Sequence, residues 1–206
     1  MKSTRMLRWF SLAAFIPLTL TAQTLQEGLA FYAKAQFAEA KRVFESILEG
    51  DGDNAEAHYR LGMILLSRSF RDEDGAVEHL EFAVELAPQN ADYHYGLGAA
   101  YGMKAQNAGF LKKAFLAPKV KREFEKTIEL NPTHIDAHVG LAQYYMQAPG
   151  IMGGDTEKAW AEADIVIRLD EVRGRYFKAG LYATDKNMAE AEREIRTLIT
   201  NRPKDG

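Results

Sequence analysis

AEAHYRLGMILL (55–66), ADYHYGLGAAYG (91–102) and IDAHVGLAQYYM (135–146) are three passages of one pattern. Each runs acidic residue, any residue, histidine, then Leu-Gly or Leu-Ala three residues on. That gives Glu56 with His58, Asp92 with His94 and Asp136 with His138. A fourth passage, VRGRYFKAGLYA (172–183), keeps the spacing of large and small residues. Each is followed by a second helix-forming run: DGAVEHLEFAVELAPQN (74–90), KVKREFEKTIELNPTH (119–134), EKAWAEADIVIRLDE (157–171) and MAEAEREIRTLITNRPKD (188–205). An earlier stretch, TLQEGLAFYAKAQFAEAKRVFESILEGDGDN (24–54), has the same two-helix rhythm without a closing proline. Small residues let two helices approach closely, and proline ends the second helix because it cannot continue one. The expectation is five helical hairpins, over 23–54, 55–90, 91–134, 135–171 and 172–205.

Large and small residues in this order resemble the tetratricopeptide repeat, whose period is about 34 residues. Leu61-Gly62-x2-Leu65, Leu97-Gly98-x2-Tyr101 and Leu141-Ala142-x2-Tyr145 match its first helix. Ala76 with Leu80, Ala83 and Pro88 match the second, as do Phe124 with Pro132, and Ala191 with Leu198 and Pro203. The resemblance covers essentially all of 23–206 and implies an all-α, right-handed superhelical solenoid of about five hairpins. Two departures stand out. His58, His94 and His138 occupy the place where the pattern carries tryptophan, and the hairpin spacing varies from 32 to 44 residues. The excess falls between the two helices of repeats two, three and four, along one edge of such a stack. Ala148-Pro149-Gly150-Ile151-Met152-Gly153-Gly154 is similar to a loop in exported bacterial members of the family, which implies a periplasmic protein with no assigned enzymatic activity.

Residues 1–22, MKSTRMLRWFSLAAFIPLTLTA, have the layout of a secretory signal peptide. Lys2, Arg5 and Arg8 precede an uncharged run from Trp9 to Leu20, shorter than the roughly 20 residues of a membrane span. A cut after Ala22 leaves a chain from Gln23, exported to the periplasm or secreted. It removes three bases and takes the formal charge from −3 to −6. An acidic chain lacks the basic footprint of sequence-independent nucleic-acid binding. With no cysteine among 206 residues, a thiol nucleophile, a disulfide staple and a thiolate-held metal are excluded. No later stretch approaches a membrane-spanning length of apolar residues.

Several constellations invite a chemical reading. The three acid-x-His pairs suggest metal ligands, but successive hairpins stand about 8–10 Å apart while zinc holds its nitrogens at about 2 Å. A structural imidazole in the tryptophan place is the better account, with the acid favouring the first helical turn. Gly150, Gly153 and Gly154 followed by Asp155 could cradle an anion, although Asp155 as the N-cap of a helix over 156–169 explains the same residues. Lys112, Lys113, Lys119, Lys121 and Arg122, interleaved with Phe110, Leu111, Phe115 and Leu116, fit a helix docked on the solenoid or an interfacial amphipathic helix. No nucleophile elbow or metalloprotease signature occurs, and the chain is read as a non-enzyme without cofactor or metal.

The functional expectation is a protein- or peptide-binding adaptor. The resemblance implies a concave groove lined by fixed first-helix positions: Tyr59, Met63, Leu66, Tyr95, Met103, Val139, Gln143, Met146 and Tyr176. Pro149, Gly150, Gly153, Gly154 and Asp155 form a candidate contact loop. The alternative is a structural scaffold of an envelope assembly, using the convex face and the inserted loops.

Overall fold

The computed structural model describes residues 18–200, with side chains from Thr24 onward. Most of the expected leader and the proline at 203 lie outside the described residues. Among the described residues, ten α-helices form five successive hairpins: α1 (Leu18–Ala33) with α2 (Phe37–Gly50), α3 (Ala55–Leu65) with α4 (Glu73–Leu86), α5 (Ala91–Gln106) with α6 (Phe110–Leu130), α7 (Ile135–Gln147) with α8 (Thr156–Leu169), and α9 (Glu171–Thr184) with α10 (Met188–Thr200). The cut expected after Ala22 falls within α1. Each helix packs on its chain neighbours, and α3, α5 and α7 also touch in succession, so first helices line one face.

Local chemistry sets the boundaries. Asn54, Asp72, Asn90, Asp155 and Asp170 each accept a backbone N–H of the helix they precede, relieving donors left unpaired at a helix start. The expected helix over 156–169 and its Asp155 cap are both present. Between helices, the small positions admit large ones. A Cβ at Gly62 would stand 2.5 Å from Cγ of the fully buried Leu80. Phe124 reaches from α6 against both Gly98 and Gly140, where a Cβ would meet its ring at 3.0 and 2.6 Å. One continuous apolar core runs from Ala40 in α2 to Ala159 in α8.

The third hairpin departs from expectation. Its second helix begins at Phe110 rather than near 119 and runs 21 residues, against 14 in α4 and α8. The insertion there is helix, whereas in the second and fourth hairpins the excess is loop. Pro118 sits inside α6. Its missing N–H costs the carbonyl of Ala114 a partner, but Ala114 is exposed and water can serve it. Leu116, Ala117 and Val120 are buried and hold the extension to the body. The seven extra residues correspond to about 10 Å of helix at about 1.5 Å each.

Candidate functional site

The three repeat histidines are fasteners. In each, Nε2 lies on the carbonyl six residues back: Gly52 at 2.9 Å for His58, Pro88 at 3.1 Å for His94, and Pro132 at 3.0 Å for His138. In each, Nδ1 meets a side chain of the second helix: His79 at 2.9 Å, Glu123 at 2.6 Å and Glu162 at 2.6 Å. One imidazole thus ties the turn before its hairpin to the helix after it. The hydrogen bond to Glu162, opposed by burial, holds His138 above the ordinary histidine value. Burial and the neighbouring His58 push His79 below it. An Nδ1–Nδ1 bond needs one bare nitrogen, so a second proton on both rings at once would break the His58–His79 contact.

The acids two residues earlier bridge forward to the next hairpin. Tyr93 donates its hydroxyl to Glu56 at 2.8 Å, His134 Nε2 lies 3.3 Å from Asp92, and Arg173 pairs with Asp136. His134 caps α7, its Nδ1 accepting from the Ala137 amide at 3.1 Å, which leaves the proton on Nε2 for Asp92. Acid and histidine are therefore both structural. Among the described residues no three His, Asp or Glu side chains gather as a metal site.

The expected groove residues do not share one place. Tyr95, Met103, Val139 and Gln143 come together in one cavity of about 330 Å³ between α5, α6 and α7. Tyr59 and Met63 instead pack in the seam between α3 and α5, against Gly96, with Tyr59 stacked on Tyr93 at 4.8 Å. Met146 packs half-buried on the core, and Tyr176 stands exposed on α9. Leu66 is a correction: only 8% exposed, it belongs to the core, because α3 ends at Leu65 and turns its last apolar residue inward.

The cavity has apolar walls and a polar rim. Tyr95, Met103, Ala117, Val120, Phe124 and Val139 form the walls, while Gln106, Gln143, Gln147 and Lys113 stand at the rim. Burial, aided by Asp136, pushes the Tyr95 hydroxyl above its ordinary value, so it stays a neutral donor. The Ala-Pro-Gly loop closes one side through Ala148, Pro149 and Met152. Tyr144 donates its hydroxyl to the Met152 carbonyl. Gly150–Met152 form a single 3-10 turn, followed by Gly153 at φ 90, a left-handed conformation that favours glycine. A Cβ at Gly154 would lie 1.7 Å from the Ala148 carbonyl oxygen. Pro149 is thus a wall of the cavity, Gly150, Gly153 and Gly154 shape the loop, and Asp155 ends it as a cap. Tyr144, Met152, Phe124 and the 113–120 stretch of α6 are contributors that groove spacing did not reveal. The adjacent aromatic pair Tyr144-Tyr145 was the one local signal, since one ring faces the core and the other the loop.

Residues 25–69 match the family model described as tetratricopeptide repeat, and residues 73–104 match the one described as TPR repeat. A thermophilic tetratricopeptide-repeat protein of Thermus thermophilus superposes with a TM-score of 0.71 at 21% identity, over 90% of this chain and 93% of its own. The fold is that of the tetratricopeptide repeat. MamA of Desulfovibrio magneticus matches at TM-score 0.58 and 24% identity, over 74% of this chain and 76% of its own. YrrB, described as a tetratricopeptide protein with an unusual peptide-binding site, matches at 0.58 and 17%, over 88% and 86%. Tetratricopeptide repeat protein 37 of Xenopus laevis is 27% identical over 175 residues, 84% of this chain. The chain spans about a tenth of that relative's length. In tetratricopeptide terms the cavity sits between the first helices of the third and fourth repeats, walled by the long second helix of the third.

Proposed function

We infer that this chain is an exported, non-catalytic adaptor that binds a protein or peptide partner on its first-helix face, with the α5–α6–α7 cavity taking one apolar side chain. The observation that carries the reading is the convergence of Tyr95, Met103, Val139 and Gln143 in that cavity. Its volume is at the small end of ligand sites, the scale of a single anchor residue. Apolar walls reward burial of that anchor, and the rim amides of Gln106, Gln143 and Gln147 are placed for the flanking peptide backbone. The peptide-binding site named for YrrB supports the class of ligand. Export rests on the basic start and apolar run of residues 1–22, and a mature N-terminus near Gln23 is expected by N-terminal sequencing.

The test is selection of peptides from a displayed random library on the wild-type protein, followed by titration against Ala99→Phe. Ala99 lines the cavity, and a ring there fills it. Selected peptides should share an apolar anchor and lose at least about tenfold in affinity for the variant, with its melting temperature unchanged. Peptides that bind both proteins equally overturn the cavity as the site.

A further inference from the structure

The tip of α6, before Leu116, has no buried face. Every residue from Gly109 to Phe115 is exposed, although three of them are large and apolar. Leu111 is 83% exposed, and Phe110 and Phe115 are exposed beside it. At helical spacing, residues 110, 111, 114, 115 and 118 form one apolar stripe, with Lys112 and Lys119 on its flank. The expectation that this segment docks on the solenoid holds for Leu116 and Ala117 alone.

Charge indicates what the tip meets. From Tyr93 to Arg122 the chain carries six bases and no acid. Lys104, Lys119, Lys121 and Arg122 have carboxylate partners within the fold, whereas Lys112 and Lys113 form no salt bridge among the described residues. Gly109 offers no side-chain cap and the first turn holds no acid, so the positive end of the helix dipole is left uncompensated there. A protruding tip of exposed phenylalanine and leucine ringed by unpaired lysines is complementary to an anionic lipid surface. Aromatic and aliphatic side chains enter the headgroup boundary while lysines stay with the phosphates. Ile151, 86% exposed on the neighbouring 3-10 turn, adds a further apolar contact, since that turn packs on α6.

We propose that the tip of α6, through Phe110, Leu111, Phe115, Lys112 and Lys113, docks the protein on an anionic membrane surface.

Because the chain has no cysteine, a single polarity-sensitive dye can be placed at Leu111→Cys, with Ser69→Cys in the α3–α4 loop as the control. The full chain is titrated with vesicles of phosphatidylcholine mixed with phosphatidylglycerol, and with vesicles of phosphatidylcholine alone. The dye at 111 should shift to the blue with the anionic vesicles, and the dye at 69 should not. Adding Lys112→Gln and Lys113→Gln should raise the lipid needed for a half-maximal shift about thirtyfold, from two lysines at about 1 kcal/mol each. No shift at 111, or equal shifts at 111 and 69, overturns the proposal, even if the apolar run near the N-terminus carries the protein to lipid. A shift at 111 that appears without lipid and grows with protein concentration overturns it in favour of a second copy on the tip.

Discussion

At the scale of single residues, the small positions of the first helices behave in opposite ways according to what faces them. Gly62 lies under Leu80, which is fully buried and has nowhere to move. Alanine there gains about 1 kcal/mol of helix propensity and loses about 1–3 to overpacking. Gly62→Ala should therefore lower stability by about 1 kcal/mol, read by denaturant titration. Gly180, in the middle of α9, has nothing within 4 Å of a Cβ, and Gly180→Ala should raise stability by about 0.5–1 kcal/mol. Equal effects of the two changes would contradict this packing account. The contrast was half legible from the sequence. Leu61-Gly62 and Leu97-Gly98 stand out as repeat positions, but Leu80 and Phe124, the side chains that demand the glycine, are each contributed by the following helix.

At the scale of elements, the histidine fasteners make stability depend on pH in two opposing ways. His138 is raised by its bond to Glu162. Its contribution is full below the ordinary histidine value of about 6.5 and fades as pH rises through the higher folded value. His79 is lowered by burial and by His58, so its contribution is full above about 6.5 and is lost as pH falls through the lower folded value. Glu162→Gln should cost most in acid and progressively less as pH rises, while His79→Gln should flatten the loss seen on acidification. Denaturant midpoints across this range read both, and a Glu162→Gln deficit that is the same at every pH would reject the assignment. The sequence showed the three histidines as structural, yet their partners lie 21, 29 and 24 residues away on the second helices, and no local pattern announces them. The cavity was obscured for a related reason. The repeat pattern starts the second helix of the third hairpin near 119 and leaves the 105–118 stretch as an insertion between the two helices. In the fold the helix continues through it, and Ala117 and Val120 build a wall. Groove spacing found the residues contributed by α5 and α7 and was blind to the wall between them.

At the scale of the whole molecule, the described hairpins pack chiefly on their neighbours in the chain, so stability is close to a sum of local terms. Among the described residues the last hairpin packs on α8, reaches α7 through the Asp136–Arg173 pair, and leaves Val172, Tyr176, Met188 and Ile199 exposed. Amide hydrogen exchange should be fastest in α10 and slowest in α3 through α6, where the core is continuous. Uniform protection along the chain would show one cooperative unit instead. The two kinds of joint also differ in mechanical character. Within hairpins, apolar side chains interlock at solid-like density, whereas successive first helices are joined by Glu56–Tyr93, Asp92–His134 and Asp136–Arg173 as well as by the seam of Tyr59 and Met63 on Gly96. Water can take the place of a stretched polar contact at little cost, but nothing relieves a compressed core. Load that parts the first helices meets a soft hinge line, and load that crowds them meets a hard stop. The expected consequence is a stack that opens more readily than it closes along the line of its first helices.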